Sequence, residues 1–184
     1  MTPEMWQIEW EFDNLLKYLP GKKLILEIGT ALGGTLYQMM RAADSNAEFV
    51  SLDLPGGKYG GQLGQPLEKT MFSWLKTGQK LHIVRADSHK PETVEKVKSI
   101  LGERKFDFIF IDGDHSYEGV KKDYELYKDL ASDIIAFHDI AEVKIINENE
   151  KTEVKQFWDE LGGNKTEIIR DKNQGAYGIG ILKL

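Results

Sequence analysis

Phe106-Asp107-Phe108-Ile109-Phe110-Ile111-Asp112-Gly113-Asp114-His115-Ser116-Tyr117 is the stretch that decides the fold class of this 184-residue chain. The run Phe108 to Ile111 has no polar alternation, so it suits a strand covered on both faces, as in a parallel sheet. The titratable cluster behind it then falls at the strand's carboxyl end, where ligands bind in open α/β sheets. Asp112 can hold a cation, and His115 can move a proton near neutral pH. A polar turn capping the next helix explains the same residues without any chemistry, so the neighbouring segments must decide.

Upstream, Lys23 to Gly29 reads as a buried strand, Thr30 to Thr35 as a glycine turn, and Leu36 to Ala43 as the start of a helix. That order aims backbone N–H groups at a ligand. A plain tight turn is the bland alternative. Ala31 stands where close approach of a pyrophosphate favours glycine, and Glu27 sits badly with a phosphate. Glu27 suits a ligand carrying an amino group and positive charge. Glu48 to Asp53 is the next strand. Asp53 follows Gly29 at about the 20-residue spacing of an acid that holds ribose hydroxyls. The glycine-rich stretch Leu54 to Gly61 lacks the Lys-Ser/Thr ending of a triphosphate loop. Leu67 to Lys76 reads as a helix with Met71, Trp74 and Leu75 on its core face. Leu81 to Ser88 is a strand whose end, Asp87 and Ser88, either binds a base or caps the helix predicted from Pro91 to Leu101. His82 reads as structural and His89 as exposed.

Downstream, Tyr117 to Leu130 predicts a helix, and Asp133 to Asp139 a fifth strand ending in His138-Asp139. Helix caps explain one acidic strand end easily. They explain Asp112, His138-Asp139, Asp53 and Asp87 together less well. Glu153 to Leu161 predicts a helix, and Thr166 to Arg170 and Ala176 to Leu182 two strands whose short connection implies an antiparallel pair. At the other end, Met5 to Leu19 has apolar residues at helical spacing and stops at Pro20-Gly21. This helix is expected to cover a sheet edge, with a substrate lid as the alternative.

The chain reads as a single domain, 1–184, with 1–20 as an N-terminal helix and 21–184 as the core. A net charge of -6 argues against nucleic acid or an anionic membrane as partner. No apolar stretch is long enough to span a membrane. The absence of cysteine removes disulfides and thiolate metal sites. Together with an N-terminus unlike a signal peptide, it sets the expectation of a cytoplasmic protein. Trp6, Trp10 and Phe12 suit either the core or a homo-oligomer interface.

Alternating β and α units closed by an antiparallel hairpin predict a doubly wound α/β sheet. The chain resembles class I S-adenosylmethionine-dependent methyltransferases, in particular the branch that includes cephalosporin-hydroxylase-like proteins and macrolide sugar O-methyltransferases. The resemblance runs from about Leu24 to the C-terminus. It rests on LEIGTALGGT, SLDLPGGKYGG, RADSH, FDFIFIDGDHSYEGV, IIAFHDI, VKQFWDEL and GIGIL. The IDGDHSYEGV block and the double-glycine block are the specific ones.

The resemblance implies a Rossmann-like methyltransferase fold: a mostly parallel seven-stranded sheet with a C-terminal antiparallel hairpin. It implies S-adenosylmethionine across the strand ends. Glu27, Gly29 and Gly33 would surround the methionine portion, Asp53 the ribose, and Asp87 with Ser88 the adenine, with Thr30, Leu54 and Asp112 completing the site. It also implies a divalent metal, Mg²⁺ or Mn²⁺, at Asp112, His138 and Asp139, and His115 as general base. His138 departs from the pattern, because those relatives carry a carboxylate there, and in a regular strand it points away from Asp139. Both can serve one site only if the backbone turns between them. The expected reaction is metal-assisted O-methylation of a small hydroxylated acceptor, whose pocket the loops at 56–65 and 141–151 would shape. A non-catalytic S-adenosylmethionine-binding accessory protein and a metal-dependent hydrolase are the competing readings.

Overall fold

The apolar runs become the strands of one sheet in a computed structural model, which describes residues 3–56, 65–142 and 152–184. The strands are β1 (Leu24–Ile28), β2 (Glu48–Asp53), β3 (Lys80–Arg85), β4 (Phe106–Ile111), β5 (Ala131–His138), β6 (Asn164–Ile168) and β7 (Ile179–Lys183). Their spatial order is β3-β2-β1-β4-β5-β7-β6. β1 to β5 pair in parallel, and β7 runs antiparallel to both β5 and β6. The chain moves outward from β1 to β3, then restarts at β4 and moves the other way. The switch point lies between β1 and β4, so Gly29 and Asp112, one residue past their ends, flank the crevice where such sheets bind ligands.

Among the described residues six α-helices cover the two faces: α1 (Glu9–Leu16), α2 (Gly34–Ala42), α3 (Gln65–Ser73), α4 (Pro91–Leu101), α5 (Tyr117–Tyr127) and α6 (Val154–Glu160). Successive strand residues point to opposite faces, so each strand feeds two cores. Leu24, Leu26 and Ile28 of β1 join Ile109 and Ile111 of β4 under Val97 of α4, Val120 of α5 and Trp158 of α6. Ile25 joins Phe108 and Phe110 under Phe12 of α1 and Met39 of α2. The register of β4 on β5 shifts between Phe106 and Phe108. There Asp107 accepts the main-chain N–H groups of Lys23 (2.7 Å) and Leu24 (3.0 Å), pinning the start of β1.

Three boundaries differ from the sequence reading for visible reasons. The first helix begins at Glu9, not Met5, and it lies on a sheet face against α2, β6 and β7. The residues before it cross the glycine turn, where the carbonyl of Glu4 occupies the space a Cβ on Gly34 would need. The last strand is shorter than expected and β6 lies two residues earlier, so the two are farther apart in sequence. Buried Glu11 accepts the main-chain N–H groups of Arg170 and Gly178 (both 2.9 Å), taking those two out of the sheet ladder, and also the Gln174 side-chain amide (2.7 Å). Ser88 does not cap α4, whose N-cap is Lys90 followed by Pro91. Of the loops expected to shape an acceptor pocket, residues 57–64 and 143–151 lie outside the described residues. Among the described residues no helix is long and apolar enough to cross a membrane.

Candidate active site

A cavity of about 410 Å³ opens at the carboxyl ends of β1 to β4 and brings together Gly29, Asp53, Leu54, Asp87, Ser88 and Asp112. His89, Gly113 and Asp114 complete much of its wall. The volume falls in the range of small-molecule sites, roughly 300–1,000 Å³. Glu27, Thr30 and Gly33, expected at the same ligand, are not in its wall.

The backbone fixes the β1 side. Gly29 has φ +91°, and a Cβ there would overlap the main-chain carbonyl of Asp112, so the two central strand ends close only around glycine. The N–H of Asp112 bonds to Ile28 at 2.8 Å. Ala31 takes a positive φ of 45° and donates its N–H to Asp53 Oδ2. The middle turn position therefore serves the acid at the end of β2. Burial raises the Asp53 carboxyl above the ordinary range, against the hydrogen bonds from Ala31 and the charge of Arg85. Gly33 is set by packing, since a Cβ would press on Met71 and Trp74.

Glu27 is fully buried one residue before the end of β1. Its Oε1 accepts from Thr35 Oγ1, and its Oε2 has no hydrogen-bond partner among the described residues. Burial pushes its carboxyl up to about 8 against the hydrogen bonds from Thr35 and Thr30, with Asp112 and Asp53 adding to the rise. A cation brought close would reverse that burial penalty.

At the β4 and β5 ends, side chains take over from backbone. Asp139 has φ +62°, so the chain turns directly after β5 and His138 and Asp139 reach the same place, the condition the sequence reading required. His138 Nδ1 lies 3.0 Å from Asp112 Oδ1 and 3.3 Å from Asp139 Oδ1. His115 Nδ1 lies 2.7 Å from Asp139 Oδ2, and its Nε2 3.4 Å from Asp112 Oδ1. Burial lowers both imidazoles, yet the adjoining carboxylates win and hold His138 above its ordinary value and His115 well above it. Burial likewise opposes ionisation of Asp112 and Asp139, and the facing histidines overcome it and hold both low. Two carboxylates thus face two imidazoles, and each pair favours the charged form of its partner. Asp114 serves its own turn, accepting from Ser116 N at 2.9 Å, while Ser116 caps α5 by accepting from Gly119 N at 3.1 Å.

The divalent metal implied by the resemblance fits this arrangement poorly. The donors of Asp112, His138 and Asp139 face one another, and among the described residues no three His, Asp or Glu side chains are placed to hold one ion.

Two contacts were hidden from the sequence reading. Gln7 donates from Nε2 to Asp112 Oδ2 at 2.8 Å, bringing the segment before α1 to the site. His89 is not exposed as expected: its side chain is 19% accessible and lies 3.3 Å from Asp123, which is fully buried on α5. Neither has a local signal, because both partners are distant in sequence.

Solved structures share this architecture. An O-methyltransferase from Bacillus cereus, in complex with S-adenosylhomocysteine, matches with a TM-score of 0.66 at 17% identity, over 98% of this chain and 82% of that one. The O-methyltransferase TomG from Streptomyces achromogenes, involved in tomaymycin synthesis and solved with S-adenosylmethionine, matches with a TM-score of 0.60 at 16% identity, over 94% and 78%. At such identities the likeness shows the fold. No curated protein matches the chain in sequence. The methyltransferase-domain family model matches residues 26–140, which hold the glycine turn, Asp53, Asp87, the Asp112–His115 turn and His138-Asp139, and the chain therefore belongs to the methyltransferase-domain family.

Proposed function

We propose that the chain transfers a methyl group from S-adenosylmethionine to a hydroxyl of a small acceptor, with His115 as general base. The observation that carries this is the position of His115: it is oriented by Asp139 at 2.7 Å and stands beside Asp112, which lines the cavity at the strand switch point. The residues suit the cofactor. Its ammonium and sulfonium outweigh its one carboxylate, and the cavity offers Asp53, Asp87 and Asp112, with the unpartnered Oε2 of Glu27 near the end of β1. Gly29 keeps the wall free of a side chain. When bound, the cofactor supplies an electrophilic methyl group on sulfur.

His115 takes the proton from the acceptor hydroxyl, and Asp139 steadies the imidazolium that results. His115 is held well above its ordinary value at rest, so it must lose a proton before it can act. Turnover therefore rises with pH as the imidazole becomes neutral. Calorimetric titration with S-adenosylhomocysteine, followed by turnover assays on a panel of sugars, diols and phenols, tests the reading. His115→Ala should keep cofactor affinity and lose about 10²-fold or more of turnover. Full turnover in that variant would remove His115 as the base, and absence of cofactor binding in the native protein would remove the reading.

Metal-assisted transfer is the second reading. The one observation on its side is the buried His138 Nε2, which has no hydrogen-bond partner among the described residues. It requires the ion pairs to open. Uptake of Mg²⁺ or Mn²⁺ by metal-stripped protein, abolished in Asp139→Ala, would support it. Turnover unchanged by chelator would end it.

A further inference from the structure

We infer that Tyr177 binds the acceptor: its ring is held beside His115, His138 and Asp139 as a platform on which a flat, hydroxylated aromatic ring stacks. This rests on the proposed function and deepens it, by naming the class of acceptor. The backbone gives the first observation. Tyr177 has φ +65°, a conformation that a bulky side chain rarely adopts, and Gly178 follows at φ +81°. The fold imposes this turn from two sides. Directly after Asp139, Ile140 N donates to the carbonyl of Gly178 at 3.2 Å and Ala141 N to that of Tyr177 at 2.8 Å. Buried Glu11 accepts from Gly178 N at 2.9 Å, and the Gln174 amide donates to the carbonyl of Ala176 at 2.8 Å. Glycine would take the turn without strain, so the reason for a tyrosine lies in its ring.

The ring adjoins the groups that would move the proton. Its centroid lies 5.9 Å from that of His138, with the planes at 56°, and the His115 ring lies 6.3 Å from His138 in turn. Tyr177 stays 40% exposed, whereas His138 and Asp139 are buried. Burial of its own ring therefore does not account for the strained tyrosine. Tyr177 and His115 are both outside the wall of the cavity, which reaches this end of the sheet only through Asp112, Gly113 and Asp114. A methyl donor in the cavity thus leaves the acceptor the far side of Asp112, the side of the base and the exposed ring. Aromatic rings prefer offset-stacked or edge-to-face aromatic partners, a geometry that a saturated ring of the same size cannot match. The platform therefore selects a phenolic hydroxyl over an aliphatic one.

Phenol and cyclohexanol, matched in size, are the probes, titrated by ligand-observed NMR with S-adenosylhomocysteine present and absent. The native protein should bind phenol roughly two- to tenfold more tightly than cyclohexanol. Tyr177→Phe should keep that preference and Tyr177→Gly should lose it, with S-adenosylhomocysteine affinity equal in all three. Melting temperature gives a readout of the opposite sign. Tyr177→Gly should melt no lower than the native protein, because glycine relieves the left-handed backbone. A lower melting temperature in that variant would make the ring structural and overturn the inference. Equal binding of the two probes by the native protein, or a preference that survives in Tyr177→Gly, would overturn it too. A Tyr177-dependent preference for phenol without any binding of S-adenosylhomocysteine would leave the ring site standing and remove the proposed cofactor.

Discussion

The two halves of the cavity rim are built from different materials. On the β1–β2 side the main chain sets the geometry: Gly29 closes against the Asp112 carbonyl, and Ala31 N–H holds Asp53. On the β4–β5 side four side chains hold one another as carboxylate–imidazole pairs. Backbone geometry is indifferent to pH, whereas ion pairs depend on every proton in the cluster. The first half is suited to presenting a fixed surface to a ligand, and the second to moving a proton. Glu27 and Asp53 are the exceptions on the rigid side, titrating groups inside the backbone-built half.

Gly29→Ala should have the largest effect, because it breaks both halves at once. The residue would have to adopt φ +91° and displace the Asp112 carbonyl, at a cost on the order of 4 kcal/mol. Melting temperature and S-adenosylhomocysteine affinity should fall together. A variant that kept native affinity would show that the halves are not joined through this glycine.

Glu27→Gln separates stability from binding. The native carboxyl is raised from 4.5 to about 8, so the folded state binds the extra proton. Its contribution is fully present below pH 4.5 and is lost as pH rises through about 8. The glutamine variant should therefore gain stability over the native protein as pH climbs, by at most a few kcal/mol. It should bind S-adenosylmethionine more weakly throughout. Parallel melting curves at pH 5 and pH 9 would show that Glu27 does not carry this linkage.

Gln7→Ala should have the smallest effect. It removes one hydrogen bond to an ionised group, worth about 1.5–3 kcal/mol at most. Turnover should fall several-fold with cofactor affinity held, which would place the segment before α1 on the chemical side of the comparison. A loss confined to cofactor affinity would place it on the other side.

Legibility follows the same division. Strands and glycine turns were readable because apolar runs and backbone constraints are local: Phe108–Ile111 and the turn after Ile28 appear where the sequence puts them. Asp112, His115, His138 and Asp139 were readable as a set because two strand ends carry them. The left-handed turn at Asp139 was not, because an aspartate does not announce a positive φ as a glycine does. Gln7, Asp123 and Glu11 were illegible for another reason. Asp123 follows Lys121 and Lys122 on a helix and looks solvated, yet it is fully buried. Gln7 meets its partner across 105 residues. The capping alternative for Ser88 is set aside by Pro91, which needs no donor and already opens α4 behind Lys90.

The clasp at Glu11 has a consequence for how the chain is made. Its three donors, Arg170, Gln174 and Gly178, lie 159, 163 and 167 residues downstream. During synthesis the first helix leaves the ribosome long before any of them exists. Until they arrive, its carboxylate must stay in water, and the helix cannot seat fully on its face of the sheet. The earliest helix is thus among the last to lock, and closure of the domain waits for nearly the whole chain.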